Sequence, residues 1–202
     1  MLCYSVYEAA AEAGLSLGGT LYGWRGLLYF SKRPAAERVI PMNLIAYRRE
    51  IEPTDLDAIL NIVQSSGFFS SAEIELALEL AADRLEHGRQ SSYQFLFAQD
   101  SEQVVGYTCY GLIPATAGSY DLYWIAVSEP MRGCGLGKIL LQKTESLISR
   151  VGGKHVYAET SSRAQYAPTH RFYEACGYSL EAVLKDFYAA EDSKIIYSKV
   201  LK

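Results

Sequence analysis

The stretch "IAVSEPMRGCGLGKILLQ", residues 125–142, decides how the rest of the chain is read. It opens on an apolar run, passes glycines at 133, 135 and 137, and closes in a helical pattern. Glycines at a strand-to-helix junction let a backbone come close to another group, because no side chain stands in the way. Spacing tests which group that is. The dinucleotide fingerprint needs G-x-G-x-x-G, and here the spacing is G-x-G-x-G. The P-loop needs four residues between its glycines and then Lys and a hydroxyl residue. Gly133 and Gly137 have three between them, and Ile139 stands where the hydroxyl belongs. The pattern that is met is R-x-x-G-x-G, from Arg132 to Gly137.

Around this stretch the chain is regular from residue 44 onward. "LIAYRREI" alternates like a strand. "PTDLDAILNIVQSS" reads as a helix capped by Thr54, with acids in its first turn and Leu56, Ile59, Leu60 and Val63 on one face. A second helix, about 71–86, carries Ile74, Leu78, Ala81 and Leu85 and stops at Gly88. "SYQFLFAQ" and "QVVGYTCYGL" form a hairpin around "DSE", and "YDLYWIAV" is a further strand. The helix over 135–151 presents Leu136, Leu140, Leu147 and Val151 to the core. "KHVYAET" is a strand, and "PTHRFYEAC" a short helix with Pro168 at its start and Gly177 past its end. "YSLEAVLKDFY" and "SKIIYSKVL" close the chain as a hairpin around "AAED". The order β-α-α-β-β-β-α-β-α-β-β predicts one mixed sheet with helices on both faces.

The glycine pattern resembles that of the GCN5-related N-acetyltransferase (GNAT) superfamily, where amides at a helix N-terminus form a nest for the pyrophosphate of coenzyme A. "FYEACGY" at 172–178 resembles the second signature of that family, about forty residues downstream with one strand between. "DFY" at 186–188 and "IIYSKVL" resemble its terminal hairpin. The resemblance covers roughly 46–202. It implies an α/β (α+β mixed) fold of the acyl-CoA N-acyltransferase type: a central mixed, mostly antiparallel sheet of about seven strands flanked by helices. Residues 46–202 would be the acetyltransferase domain and 1–45 an N-terminal extension of unknown role.

The resemblance also implies a site. The backbone of Ile125, Ala126 and Val127 would pair with the pantetheine arm of acetyl-CoA like an added strand. The amides of Arg132, Gly133, Cys134, Gly135, Leu136, Gly137 and Lys138 would hold the pyrophosphate. Tyr173 would protonate the departing thiolate, since a phenol stays protonated at neutral pH. Asp121, six residues before Val127, would accept the proton of the attacking amine, with Asp186, Glu159 and Glu73 as alternatives. The family often has an asparagine seven residues before the tyrosine; here Tyr166 stands there, and Ser161, Ser162 or Thr169 could supply the polar contact instead. Sixteen tyrosines are many, and Tyr107, Tyr110, Tyr120, Tyr123 and Tyr188, with Phe68 and Phe69, would either fill the core or wall an acceptor pocket. The expected reaction is transfer from acetyl-CoA to a primary amine of a small molecule or amino acid, by direct attack in a ternary complex. Protein N-acetylation and an acyl-CoA sensor without turnover are the alternatives.

Composition narrows the partners. The 202 residues carry a formal charge of −4 with no dense Lys/Arg run, so no nucleic acid is expected. Three isolated histidines and four scattered cysteines lack metal-ligand spacing, so no metal is expected. The cysteines suit a reducing cytoplasm. "LSLGGTLYGWRGLLYF" falls short of a membrane span, and Glu8 and Glu12 occupy the place of a basic leader region, so neither membrane nor signal peptide is expected. A small-molecule amine is the expected partner; a homodimer is left open.

Overall fold

The computed structural model describes residues 44–202, all within one compact unit, Ile40–Lys202. Expectations about residues 1–43 lie outside the described residues. The elements follow the expected order: β1 (Ile45–Arg48), α1 (Asp55–Ser66), α2 (Ser71–His87), β2 (Gln94–Asp100), β3 (Gln103–Leu112), β4 (Ser119–Val127), α3 (Leu136–Arg150), β5 (His155–Ser161), α4 (Ala167–Ala175), β6 (Ser179–Ala189) and β7 (Asp192–Val200). The seven strands make one sheet in the order β1-β2-β3-β4-β5-β7-β6. Every neighbouring pair is antiparallel except β4 with β5.

Two helical layers cover the sheet. On one face α1 and α2 bury Ile59, Val63, Ala77 and Ala81 against Phe95, Phe97, Tyr107 and Cys109. On the other, α3 packs Leu136 and Leu140 onto Leu96 and Ala98, and Leu141 and Ile148 onto Leu122 and Val156. There the Thr108 and Thr144 hydroxyls share a hydrogen bond of 2.7 Å, both fully buried. That bond removes the desolvation cost each hydroxyl would carry alone.

The helix faces depart from the expected stripes. In α1, Ile62 is buried and Leu60 only partly so. In α2, the buried set is Ala77, Leu80, Ala81 and Arg84, one step round from the periodic leucines. Val151 lies past the end of α3 and is 70 % exposed, because the helix stops at Arg150 before that turn reaches the sheet. Thr54 sits at the α1 N-cap without a side-chain cap bond. The buried Asp55 carboxylate takes over, accepting the Glu52 amide at 2.7 Å and pairing with Arg48. No helix among the described residues is long and apolar enough to cross a membrane.

Candidate active site

β4 and β5 part company in the middle of the sheet. They pair only from Ser119–His155 to Leu122–Ala158. Beyond that, β4 stays bound to β3 as far as Val127, and β5 to β7 as far as Ser161. Tyr123–Val127 therefore present an edge that no strand among the described residues occupies on the β5 side. The cause is an irregularity in β4. Cys109 aligns with Trp124 and Tyr110 with Leu122, so Tyr123 is an extra residue. Such a bulge bends a strand and increases its twist.

The open edge leads to the glycine turn. A short 3₁₀ turn, Glu129–Met131, follows β4 and is anchored by buried Met131. Gly133 has φ +75° and Gly135, the α3 N-cap, has φ +90°, conformations that a side chain rarely adopts. A Cβ on either would meet no described residue within 4 Å, so none of the described residues covers the turn. The first recorded bond of α3 runs from the Ile139 amide to the Gly135 carbonyl, and the amides from Gly133 to Lys138 donate to no described backbone oxygen. They lie where the helix dipole favours an anion. The Arg132 Nε lies 3.4 Å from the Val127 carbonyl oxygen, and its guanidinium 5.7 Å from the Phe68 ring. Cys134 is exposed, its thiol directed at the Met131 carbonyl, and Lys138 is exposed.

Two proton-transfer candidates stand on opposite faces of the sheet. Tyr173 of α4 is buried on the α3 face among Phe172, Tyr178 and Tyr197, with ring centroids 5.4–5.6 Å away. Burial pushes its phenol well above the ordinary range, with a lesser push from Cys176. Asp121 aligns with Gly111 on one side and Tyr157 on the other, one residue out of phase with Leu122 on the α3 face, so it faces the α1–α2 side. Its carboxyl is pushed up to about 6, first by burial and then by Glu159, against a lowering by Lys194.

Tyr166, in the place of the family asparagine, does something the sequence did not reveal. Its hydroxyl lies 3.3 Å from both the Phe68 carbonyl oxygen and Glu73 Oε1, and Gln165 Nε2 donates to the same carbonyl at 3.1 Å. The loop after β5 is thus tied to the turn between α1 and α2. Glu73 is also committed to the α2 capping box with Ser70. Ser161 and Ser162 are engaged locally, with Asp192 and with the Ser193 amide. Asp186 accepts the Glu191 amide in the terminal hairpin. Of the five tyrosines expected to gather at the split, Tyr107 and Tyr110 are core residues and Tyr120 packs on the α3 face; their strand positions point them into the helical layers. Tyr123 lies on the α1–α2 side, and Tyr188 at the β6 edge. A cavity of about 560 Å³ between α1 and the β2–β3 hairpin is lined by Arg48, Asp55 and Glu102 and reaches the turn after β4 at Ser128, Glu129 and Pro130.

The comparisons with known proteins agree with this geometry. The model of the acetyltransferase (GNAT) family matches residues 56–178. A protein of Desulfovibrio desulfuricans assigned to the GNAT acetyltransferases shares 46 % identity at a TM-score of 0.77, over 78 % of this chain and 99 % of its own. The ribosomal-protein-S18-alanine N-acetyltransferase of Escherichia coli has 20 % identity and a TM-score of 0.62 over 78 % and 94 %. An aminoglycoside 6'-N-acetyltransferase in complex with coenzyme A has 17 % identity and 0.60 over 78 % and 97 %. The last two are likenesses of fold alone. No curated protein matches.

Proposed function

The chain belongs to the GNAT acetyltransferase family, a family of acyl-CoA-dependent transferases, and from that premise we propose that it moves an acetyl group from acetyl-CoA to a primary amine of a small molecule or amino acid, by direct attack in a ternary complex. One observation carries the reading: the β4 edge at Tyr123–Val127, which no described strand occupies, runs into a turn whose amides from Gly133 to Lys138 donate to no described backbone oxygen. These residues fit the cofactor by chemistry. Ile125, Ala126 and Val127 offer backbone groups to an amide-bearing arm. Gly133, Cys134, Gly135, Leu136, Gly137 and Lys138 offer N–H groups to a pyrophosphate, with no described side chain above Gly133 or Gly135. Arg132 exchanges its contact with the Val127 carbonyl for a phosphate oxygen.

Acetyl-CoA, when bound, supplies an acyl carbon activated as a thioester. Asp121 receives the proton that the amine loses as it attacks; a carboxyl near 6 is ionised at neutral pH yet basic enough for the task. Tyr173 gives its phenol proton to the departing sulfur, and burial keeps that proton in place until then. Acid and base approach from opposite faces, so neither quenches the other.

The test is ligand linkage. Acetyl-CoA at about 100 times its Kd should stabilise the protein by ~2.7 kcal/mol. Gly135→Glu, which puts bulk and negative charge into the nest, should fold and show no shift. Unchanged affinity in the folded variant removes the basis of the assignment.

A further inference from the structure

Tyr173 stands on α4, a helix of nine residues, too short to hold a direction on its own. Ties to its neighbours aim it. Near its start, His170 Nε2 lies 2.9 Å from the Ser161 carbonyl oxygen at the end of β5. Further along, Phe172 abuts the glycine turn: a Cβ on Gly137 would come within 3.5 Å of the Phe172 ring. At its end the chain turns off through Gly177, with φ +84°. There the Tyr178 amide donates to the Tyr173 carbonyl oxygen and the Gly177 amide to that of Glu174, each at 3.0 Å. The Cys176 carbonyl oxygen of this turn is filled from another element: the Lys199 ammonium donates to it at 2.9 Å.

The same ammonium donates to Glu145 Oε2 at 2.7 Å and lies 5.4 Å from the Tyr178 ring. Lys199 reaches this place because it aligns with Val156 of β5, a core residue of the α3 face. Glu145 is 9 % exposed, and its other oxygen is buried without a hydrogen-bond partner. Lys199 is the one cation paired with it among the described residues. Glu145 stands two turns along α3 from Lys138, where the amide nest ends. One side chain of β7 thus holds the end of α4 to the helix that begins at the nest.

We infer that Lys199 is a positioning residue for acyl transfer: by tying the end of α4 to α3, it sets where the Tyr173 phenol stands relative to the nest. The inference rests on the acetyltransferase reading and on Tyr173 as its acid. The nest anchors the cofactor at the start of α3, and the acid is carried on α4, so the two must be held in one alignment. The rings of Phe172, Tyr178 and Tyr197 pack round Tyr173, but apolar packing is non-directional. The two bonds of Lys199 are directional and charge-assisted. The ammonium also stands at a helix C-terminus, where the dipole favours a cation. A misplacement of about 1 Å at such a site costs on the order of 10²-fold in rate.

The experiment uses coenzyme A itself as the probe and needs no acceptor. Its thiol is titrated by thiolate absorbance in the complex, against free coenzyme A and free protein. A phenol that donates to the sulfur stabilises the thiolate, so the bound thiol of the wild type should titrate about one unit or more below the free one. Tyr173→Phe should abolish that shift. Lys199→Met keeps the stem and loses the ammonium; it should lose most of the shift while the Kd for coenzyme A, set by the nest, stays within a few-fold. Lys199→Arg keeps donors for both oxygens and should retain the shift. Lys199→Met leaves Glu145 buried without its counter-charge; where that variant fails to fold, Glu145→Gln with Lys199→Met removes both charges and carries the same comparison. A full shift in the folded lysine variant, with none in Tyr173→Phe, overturns the inference and leaves Tyr173 as the acid. Loss of coenzyme A binding in the folded lysine variant overturns it in favour of a structural role. A wild type without the shift, or a shift that survives Tyr173→Phe, overturns the acid assignment and the inference with it. A wild type that binds no coenzyme A overturns the transferase reading as well.

Discussion

The hydroxyl of Tyr166 donates to the carbonyl oxygen of Phe68 at 3.3 Å, joining two loops 98 residues apart in the chain. Through that contact the loop after β5 and the turn after α1 hold each other across the mouth of the split, with Gln165 reinforcing the bond. Burial raises the Tyr166 phenol, and the neighbouring Glu73 carboxylate adds to the rise, so the hydroxyl keeps its proton and remains a donor. Tyr166→Phe preserves the ring and loses the tie. It should cost about 1 kcal/mol in urea unfolding and speed amide exchange in residues 67–69. Unchanged exchange there shows that the tie is redundant.

Asp121 and Tyr173 should separate by pH. Wild-type kcat/KM should rise as pH passes through about 6, where the Asp121 carboxyl, faced by Glu159 and Lys194, loses its proton. Asp121→Asn should be slower by ~10² or more near neutrality, and partly recover at high pH where the free amine is abundant. Tyr173→Phe should be slower by ~10² without such recovery, with acetyl-CoA affinity within a few-fold. A fully active Tyr173→Phe makes Tyr173 a packing residue. Equal impairment of Asp121→Asn at every pH removes it as the base.

The same carboxyl has a stability consequence. A pKa raised on folding means that the native state binds a proton which the unfolded state has already lost, so this group's contribution falls as pH rises from about 4 to 6. Asp121→Asn should therefore gain stability relative to wild type at pH 8 and not at pH 3.5. Parallel denaturant midpoints at both pH values would contradict the burial assigned to Asp121.

Thr108 and Thr144 should couple. Either Thr→Val change alone strands a buried hydroxyl and should cost ~1–3 kcal/mol. The double variant should cost less than the sum, and additivity in the cycle would mean the two do not share the 2.7 Å bond.

Cysteine labelling reads the cofactor turn directly. Cys134 is exposed and Cys109 fully buried, with burial pushing the Cys109 thiol well up. N-ethylmaleimide should modify Cys134 quickly and Cys109 only on unfolding. Acetyl-CoA should slow labelling at Cys134 without affecting Cys176. Equal rates with and without acetyl-CoA would place the ligand elsewhere.

Strand and helix order was legible because pattern and punctuation agree from residue 44 onward: the short apolar run in "QFLFAQ", a capping signal before α2, glycine after α4. The glycine turn was legible because backbone geometry restricts residue choice, and Gly133 and Gly135 do have positive φ. Helix faces were less so. Leucines mark a stripe, but the partly buried Leu56 and Leu78 show that sheet contact, not periodicity, selects the buried residue. Nor could the sequence place Tyr166 against Phe68 and Glu73, or Lys194 over Phe187, since these contacts join distant segments through polar groups that carry no periodic signal.

The extra residue in β4 has a consequence of parity. Along a regular pleat, positions an odd number apart point opposite ways. Asp121 and Trp124 are three apart and would stand on opposite sides of a flat ribbon. Tyr123 adds one step to the count, so the carboxylate and the indole share one side while Leu122 and Ile125 keep theirs in the opposing layer. Deleting Tyr123 would leave Asp121 and Trp124 two apart and still on one side, and would remove only the bend with which β4 leaves β5. One residue added between Asp121 and Trp124 would instead force a choice: either Asp121 turns into the apolar layer beneath α3, or Trp124 leaves Phe69. Such a one-residue frameshift in the pleat would dismantle the site while every side chain named in it is still present.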